Sequence, residues 1–208
     1  MKKITFFICT IFMLNSLISY SQTSIFEMSD FVNYQRLHKK IAIAPFDISV
    51  DIKSMPRDLS FDDLNKLHKN EALLLQDYFF AVMLNENQNK RLTAELIDVR
   101  KTNQLLDKNN INFFNITKTS YEDLAKYCDV DGIITVSVYK SNPIYGEKTR
   151  NRIDIKVSIH DKSGKLIWEY FDGYEGGPDS TSFSITKALL EKAARKIPYR
   201  NVIKEPKK

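Results

Sequence analysis

Asp47 follows the apolar run "KIAIAPF" and is the first carboxylate placed where a buried strand ends. A carboxylate there serves as a general acid or base when a second titratable group converges on it, and as a turn or capping group otherwise. The sequence supplies no such second group, so Asp47 is expected to close a core strand and open a loop. "DVDG" (Asp129 to Gly132) begins like a calcium loop, but its twelfth position is Lys140 where a closing Glu is needed, so a polar turn is expected. "DGYEGGPDSTSFS" offers Gly173, Gly176, Gly177 and Ser180 between a strand and a helix, where free backbone N–H groups can hold an anion or small ligand. It has neither the GK[ST] ending of a P-loop nor GxGxxG spacing. Its plainer role is a turn, with Ser180 or Ser182 capping the last helix.

The remaining reactive side chains point away from the common enzymes. His38, His68 and His160 stand apart, without HExxH or paired zinc spacing, and no G-x-S-x-G elbow is present. His160 falls on the polar side of an alternating strand, which puts it at the surface. Cys128 has no histidine near it in sequence and lies at a helix-to-strand junction, where packing is the expected use. No catalytic residue, metal site or cofactor is implied. In "SNPIYGEKTR", Ile144 and Tyr145 stand among charges, a composition suited to a small protein interface as well as to a solvated hairpin loop.

The elements that must position these residues follow from the pattern along the chain. Residues 1–21 read as a signal peptide: Lys2 and Lys3, an apolar stretch too short for a membrane span, then Ser19 and Ser21 before a cut ahead of Gln22. Cys9 lies inside the apolar stretch, so no lipid anchor is expected. Removing Lys2 and Lys3 lowers the net charge from +5 to +3, and the basic residues are scattered among acids. A nucleic-acid partner, which calls for a concentrated basic stripe, is not expected. Residues 22–39 form a polar lead-in with a helical piece near Phe31 to Leu37, 40–199 a single domain, and 200–208 a disordered basic tail.

Within the domain, Ile41 to Phe46 reads as a short strand, and "DISVDIKSMPRDLS" as a loop. Phe61 to about Asn85 carries apolar residues at helical spacing, with Ser60 and Asp63 placed as a capping pair. Ala94 to Val99 is expected to be a strand, "RKTNQLLDKNN" a helix, and "TSYEDLAKYC" a helix capped by Ser120. Gly132 to Lys140 reads as a central strand. "RIDIKVSIH" alternates strictly and joins "KLIWEYFDGY" through the turn "DKSG". A final amphipathic helix stops at Pro198. The order β-α-β-α-α-β-β-β-α gives an α/β fold: a single two-layer or three-layer sandwich on a mixed sheet, with a late β-hairpin and a C-terminal helix.

Three short segments of this chain, "IAIAPF", "CDVDGIITV" and "IHDKSGKLIWEY", resemble words shared by a group of exported α/β domains. The group comprises the curli-secretion lipoprotein, the outer-membrane activator of penicillin-binding proteins and the amino-terminal domain of TolB. "DVRKTNQLL" and the late Pro198-Tyr199 resemble uncharacterised secreted proteins of Bacteroidetes. The resemblance spans roughly residues 40 to 197 and implies an exported, non-catalytic domain of the cell envelope, periplasmic or secreted, that docks on another envelope protein. The chain departs from the lipoproteins in having no cysteine at its expected cleavage site. Its region near "YKSNPIYGEKTRNRI" is too short and too charged to form pore-lining hairpins. A ligand-binding protein using the glycine-rich loop 172–182 and a hydrolase with scattered residues are the alternatives.

Overall fold

The computed structural model describes residues 23–51, 60–88, 92–142, 144–145, 148–177 and 180–199. The expected signal segment and basic tail lie outside these residues. Nine strands and five helices follow in chain order: β1 (Ser24–Glu27), α1 (Phe31–Leu37), β2 (Lys40–Ile43), β3 (Asp47–Val50), α2 (Phe61–Gln88), β4 (Glu95–Leu96), α3 (Val99–Lys108), α4 (Tyr121–Cys128), β5 (Gly132–Ser141), β6 (Ile144–Tyr145), β7 (Lys148–Thr149), β8 (Arg152–Asp161), β9 (Leu166–Glu175) and α5 (Ser182–Ala194). A 3₁₀ turn at Ile116–Lys118 precedes α4.

Seven strands make one mixed sheet in the order β1-β9-β8-β5-β2-β4, with β3 also paired to β5. Strands β2, β3, β4 and β5 run parallel, whereas β5, β8, β9 and β1 form an antiparallel meander. Strands β2 and β3 occupy the same flank of β5 one after the other, against Gly132–Ile134 and then Ser137–Lys140. Between them sits Pro45, which has no N–H to give to the ladder. The expected loop after Phe46 is therefore corrected at its start, where four residues pair in parallel. The lead-in likewise contributes a strand, β1, that its polar composition concealed.

One face of the sheet is buried under α2 and α5. Ile153, Ile155, Val157 and Ile159 of β8 meet Trp168 and Tyr170 of β9, together with Leu75, Phe79 and Met83 of α2 and Leu189 and Leu190 of α5. The strict alternation of β8 is the cause, since residues two apart point the same way. On the other side, α3 and α4 cover mainly the parallel strands, packing Leu106, Leu124, Ala125 and Cys128 against Ala42, Ala44 and Ile133.

Polar ties hold these layers in place. Lys140 forms a largely buried ion pair with Glu71 of α2, and Tyr78 of α2 bonds Glu191 of α5. Asp172, fully buried, accepts hydrogen bonds from Thr23 Oγ1 at 2.9 Å and Tyr170 Oη at 2.8 Å, and lies 3.6 Å from Lys192 Nζ. His38 Nδ1 and the hydroxyl of Tyr199, both buried, bond each other beside Gly132, where any side chain would crowd them.

Helix ends follow side-chain chemistry closely. Ser60 and Ser120 accept from the backbone N–H groups of Asp63 and Asp123, as their spacing implies. Two expectations are corrected at such ends. Asp98 accepts from the Arg100 N–H at 2.8 Å and starts α3 at Val99, so the strand expected over Ala94 to Val99 shrinks to Glu95–Leu96. The last helix is capped by Thr181, whose Oγ1 accepts from the Ser184 N–H at 3.1 Å, and not by Ser180 or Ser182.

Candidate functional site

Beyond the reach of α4, the second face of β5, β8, β9 and β1 carries no helix among the described residues. Its residues are fixed by register. Asp47 of β3 lies opposite Ser137 of β5, which lies opposite Lys156 of β8 and then Phe171 of β9. The next row runs Thr135, Ser158, Glu169 and Phe26. Tyr139 and Asp154 extend the face one row beyond Ser137. Parity thus gathers onto one open surface the side chains that β8 keeps out of the core.

Where this face meets α4 there is a pocket of about 210 Å³. Ala44, Pro45, Ile116, Leu124 and Val136 supply its apolar lining. Around them stand Asp47, Lys156 and the hydroxyls of Thr117, Tyr121, Thr135, Ser137 and Ser158. Asp47 is half-buried, and burial raises its carboxyl above the usual carboxylate range against the opposing pull of Lys156. No described residue forms an ion pair with either charge. Ser158 is committed differently, donating to Glu169 at 3.0 Å.

His160 lies next along β8 on the same face as Ser158, and its expected surface position is corrected. It is 5% exposed, because Tyr121 at the start of α4 stacks on its ring with centroids 3.7 Å apart. Neither ring nitrogen has a hydrogen-bond partner of ordinary geometry. Burial holds the imidazole below its usual pKa, although the Gly164 backbone and the Glu169 charge favour the protonated ring. The turn after His160 explains how Tyr121 is placed. Gly164 has φ of 80°, and a Cβ there would meet the Glu122 backbone nitrogen at 3.0 Å, so glycine lets the turn approach α4.

The sequence-derived site residues do not come together here. Gly173 of β9 faces the Arg152–Asp154 ion pair, and a Cβ would fall 2.1 Å from Asp154 Oδ1. Gly176 donates its N–H to the Asn151 carbonyl at 2.8 Å and packs against Ile185 and Ser180, whereas Gly177 is open. Ser180 lines a separate cleft of about 310 Å³ with Tyr174, Ser184 and Lys192. Ile144 and Tyr145 form the two-residue strand β6 paired with β7, a small hairpin between β5 and β8. Cys128 is buried, and desolvation pushes its thiol up to about 12, far from a nucleophile's range.

The pocket was beyond sequence reasoning because its charges lie on strands 109 positions apart, brought together only by register with β5. The one available signal was the polar parity of β8, Asp154, Lys156 and Ser158, which marks a face but not what sits over it. Among the described residues no group of three or more His, Cys, Asp or Glu side chains is placed to hold a metal, and no helix is long and apolar enough to cross a membrane.

No known family's sequence profile matches the chain, and no curated protein matches it. Solved structures do. The lipoprotein GNA1162 from Neisseria meningitidis overlays 76% of this chain and 97% of its own at 12% identity and a TM-score of 0.50. The PelC dodecamer from Paraburkholderia phytofirmans covers 83% of this chain and 94% of its own at 8% identity and 0.43. The C-terminal domain of LpoB from Salmonella enterica covers 65% and 82% at 11% identity and 0.37. At such identities the likeness is one of fold, and the GNA1162 overlay carries it: the chain has the α/β architecture of a known lipoprotein.

Proposed function

We propose that this protein is an exported, non-catalytic domain that docks on another protein of the cell envelope through the open sheet face and the β1 edge. The observation that carries the reading is the asymmetry of the sheet. One face is sealed by α2 and α5, while the other presents Phe26 and Tyr139 to solvent, at 49% and 43% exposure, around a charged and hydroxylated centre. Aromatic anchors set among polar groups are the usual make-up of an interface core. Strand β1 is the outer strand on that side, and all four of its residues are exposed. An edge of this kind offers backbone groups to an added strand. Similarity of fold to a lipoprotein, GNA1162 from Neisseria meningitidis, is in keeping with this reading.

Affinity capture of the tagged protein from cross-linked envelope extracts tests the proposal against the variant F26E/Y139E. One protein in near-stoichiometric amount with the parent, lost with the variant, is the expected result. Equal capture by a variant that remains folded by circular dichroism would move the interface elsewhere. No specific partner for the parent would overturn the docking reading itself.

A further inference from the structure

We propose that the pocket between the open sheet face and α4 binds a small zwitterion, a free amino acid or a dipeptide, with Asp47 taking its ammonium and Lys156 its carboxylate. The inference does not depend on the docking function. It starts from the cross-strand row Asp47–Ser137–Lys156, which sets one acid and one base on either side of a hydroxyl. Two strand spacings separate the backbones of Asp47 and Lys156 by roughly 9–10 Å. No described residue pairs with either charge, although Asp47 is half out of water. A partly desolvated carboxylate that feels Lys156 only across the row, without an ion pair, is costly, and a ligand ammonium placed against it reduces that cost.

Size and charge narrow the ligand. About 210 Å³ falls below the roughly 300–1,000 Å³ of sites for drug-sized molecules, so the occupant is small. A dipeptide spans about 7 Å, which fits between two side chains that reach inward from strands set 9–10 Å apart. A simple anion or cation would match one charge and strand the other. A neutral polyol would use the hydroxyls of Thr135 and Ser137 but match neither charge.

A second observation marks the same corner of the molecule. Tyr121 lines the pocket and also stacks over His160, a side chain 5% exposed with both ring nitrogens unpartnered. Buried polar groups in folded proteins are nearly always satisfied, and exceptions gather where function holds them. Tyr121 itself is 43% exposed. The residue that closes the pocket is thus anchored on an unsatisfied group and not locked in the core.

Titration calorimetry of the purified protein with alanine, alanyl-alanine, the N-acetylated and C-amidated forms of each, and glucose tests the assignment. Saturable binding of alanine or alanyl-alanine is expected, weakened at least tenfold by blocking either end. Which of the two binds distinguishes a free amino acid from a dipeptide. Asp47→Asn and Lys156→Met should each weaken binding at least tenfold while circular dichroism stays unchanged. If a variant fails to fold, the blocked ligands on the parent protein still decide the matter. Absence of saturable heat with both zwitterions, binding indifferent to blocked ends, or preference for glucose would each overturn the proposal. Because no partner protein is present, failure here leaves the docking reading standing, and the reverse also holds.

Discussion

The two faces of the sheet share strands but obey different rules. Under α2 and α5, β8 and β9 contribute only Ile, Val, Trp and Tyr side chains to a continuous core until Asp172, where a buried carboxylate is met by two hydroxyls and a lysine. On the opposite face the same two strands contribute Lys156, Ser158, Glu169 and Phe171, and no described helix lies over them beyond Tyr121. The difference separates the part of the sheet that stabilises the fold from the part that does not have to. Burying apolar area holds the first face together, whereas the second tolerates an unpaired carboxylate and an unsatisfied imidazole. A face that does not have to stabilise the fold is free to carry groups that a partner or ligand completes.

The sharpest way to break this comparison is to substitute both sides. Trp168→Ala should cost about 3–5 kcal/mol, the usual loss on emptying a buried aromatic site. Tyr139→Ser, on the open face, should change stability by no more than about 0.5 kcal/mol. Urea denaturation of both variants measures this, and comparable losses would mean that the open face is part of the core.

Next in size is the histidine at the border between the two regimes. His160→Phe keeps an aromatic ring under Tyr121 and removes two unpartnered nitrogens, so stability should rise by about 1 kcal/mol at neutral pH. The parent protein should also lose stability on acidification. Burial holds the pKa values of His38, His68 and His160 below 6.5 in the folded state, so the unfolded chain binds more protons as pH falls. Their contribution is complete above about pH 6.5 and is lost as pH drops through the folded values. Glu71, Asp131, Asp161 and Glu169 offset the effect in part, and Lys140, Lys156 and Lys162 reinforce it. Thermal melts between pH 7.5 and 5 should show a shallower decline for His160→Phe than for the parent. An identical slope would place His160 in contact with water.

The smallest effect concerns the cover of the sealed face. Thr181→Ala should cost about 1 kcal/mol by uncapping α5, whereas Ser182→Ala should be nearly silent. Equal losses in thermal denaturation would return the cap to the neighbouring serine.

Legibility from sequence tracked the same divide. The sealed face was readable because Ile153, Ile155, Val157 and Ile159 repeat at the strand period, and α2 and α4 announced themselves by periodicity and by Ser60 and Ser120. Strands β1 and β3 were not readable. "SIFE" and "DISV" are four residues each and owe their form to β9 and β5, partners more than 80 positions away. Asp47 stood out as a strand-end carboxylate, yet it begins a strand, and its relation to Lys156 passes through Ser137. In the glycine-rich loop, glycine also serves close packing. Gly173 leaves room for Asp154 and Gly176 for Ile185. His160 misled because parity assigns a face but cannot show that Tyr121 lies across it.

The bond between His38 and Tyr199 joins residues 161 positions apart, and Phe31 packs edge-to-face on the same tyrosine ring. Strand β1 similarly waits for β9, and Thr23 for Asp172. A chain emerging from its amino end therefore presents α1 and β2 long before anything exists to cover them. Contacts at such separations carry a large closure cost and form late. Early pieces of this protein have no stable stopping point of their own. Fixing α1 and β1 in place therefore depends on β9 and on Tyr199, both late in the sequence.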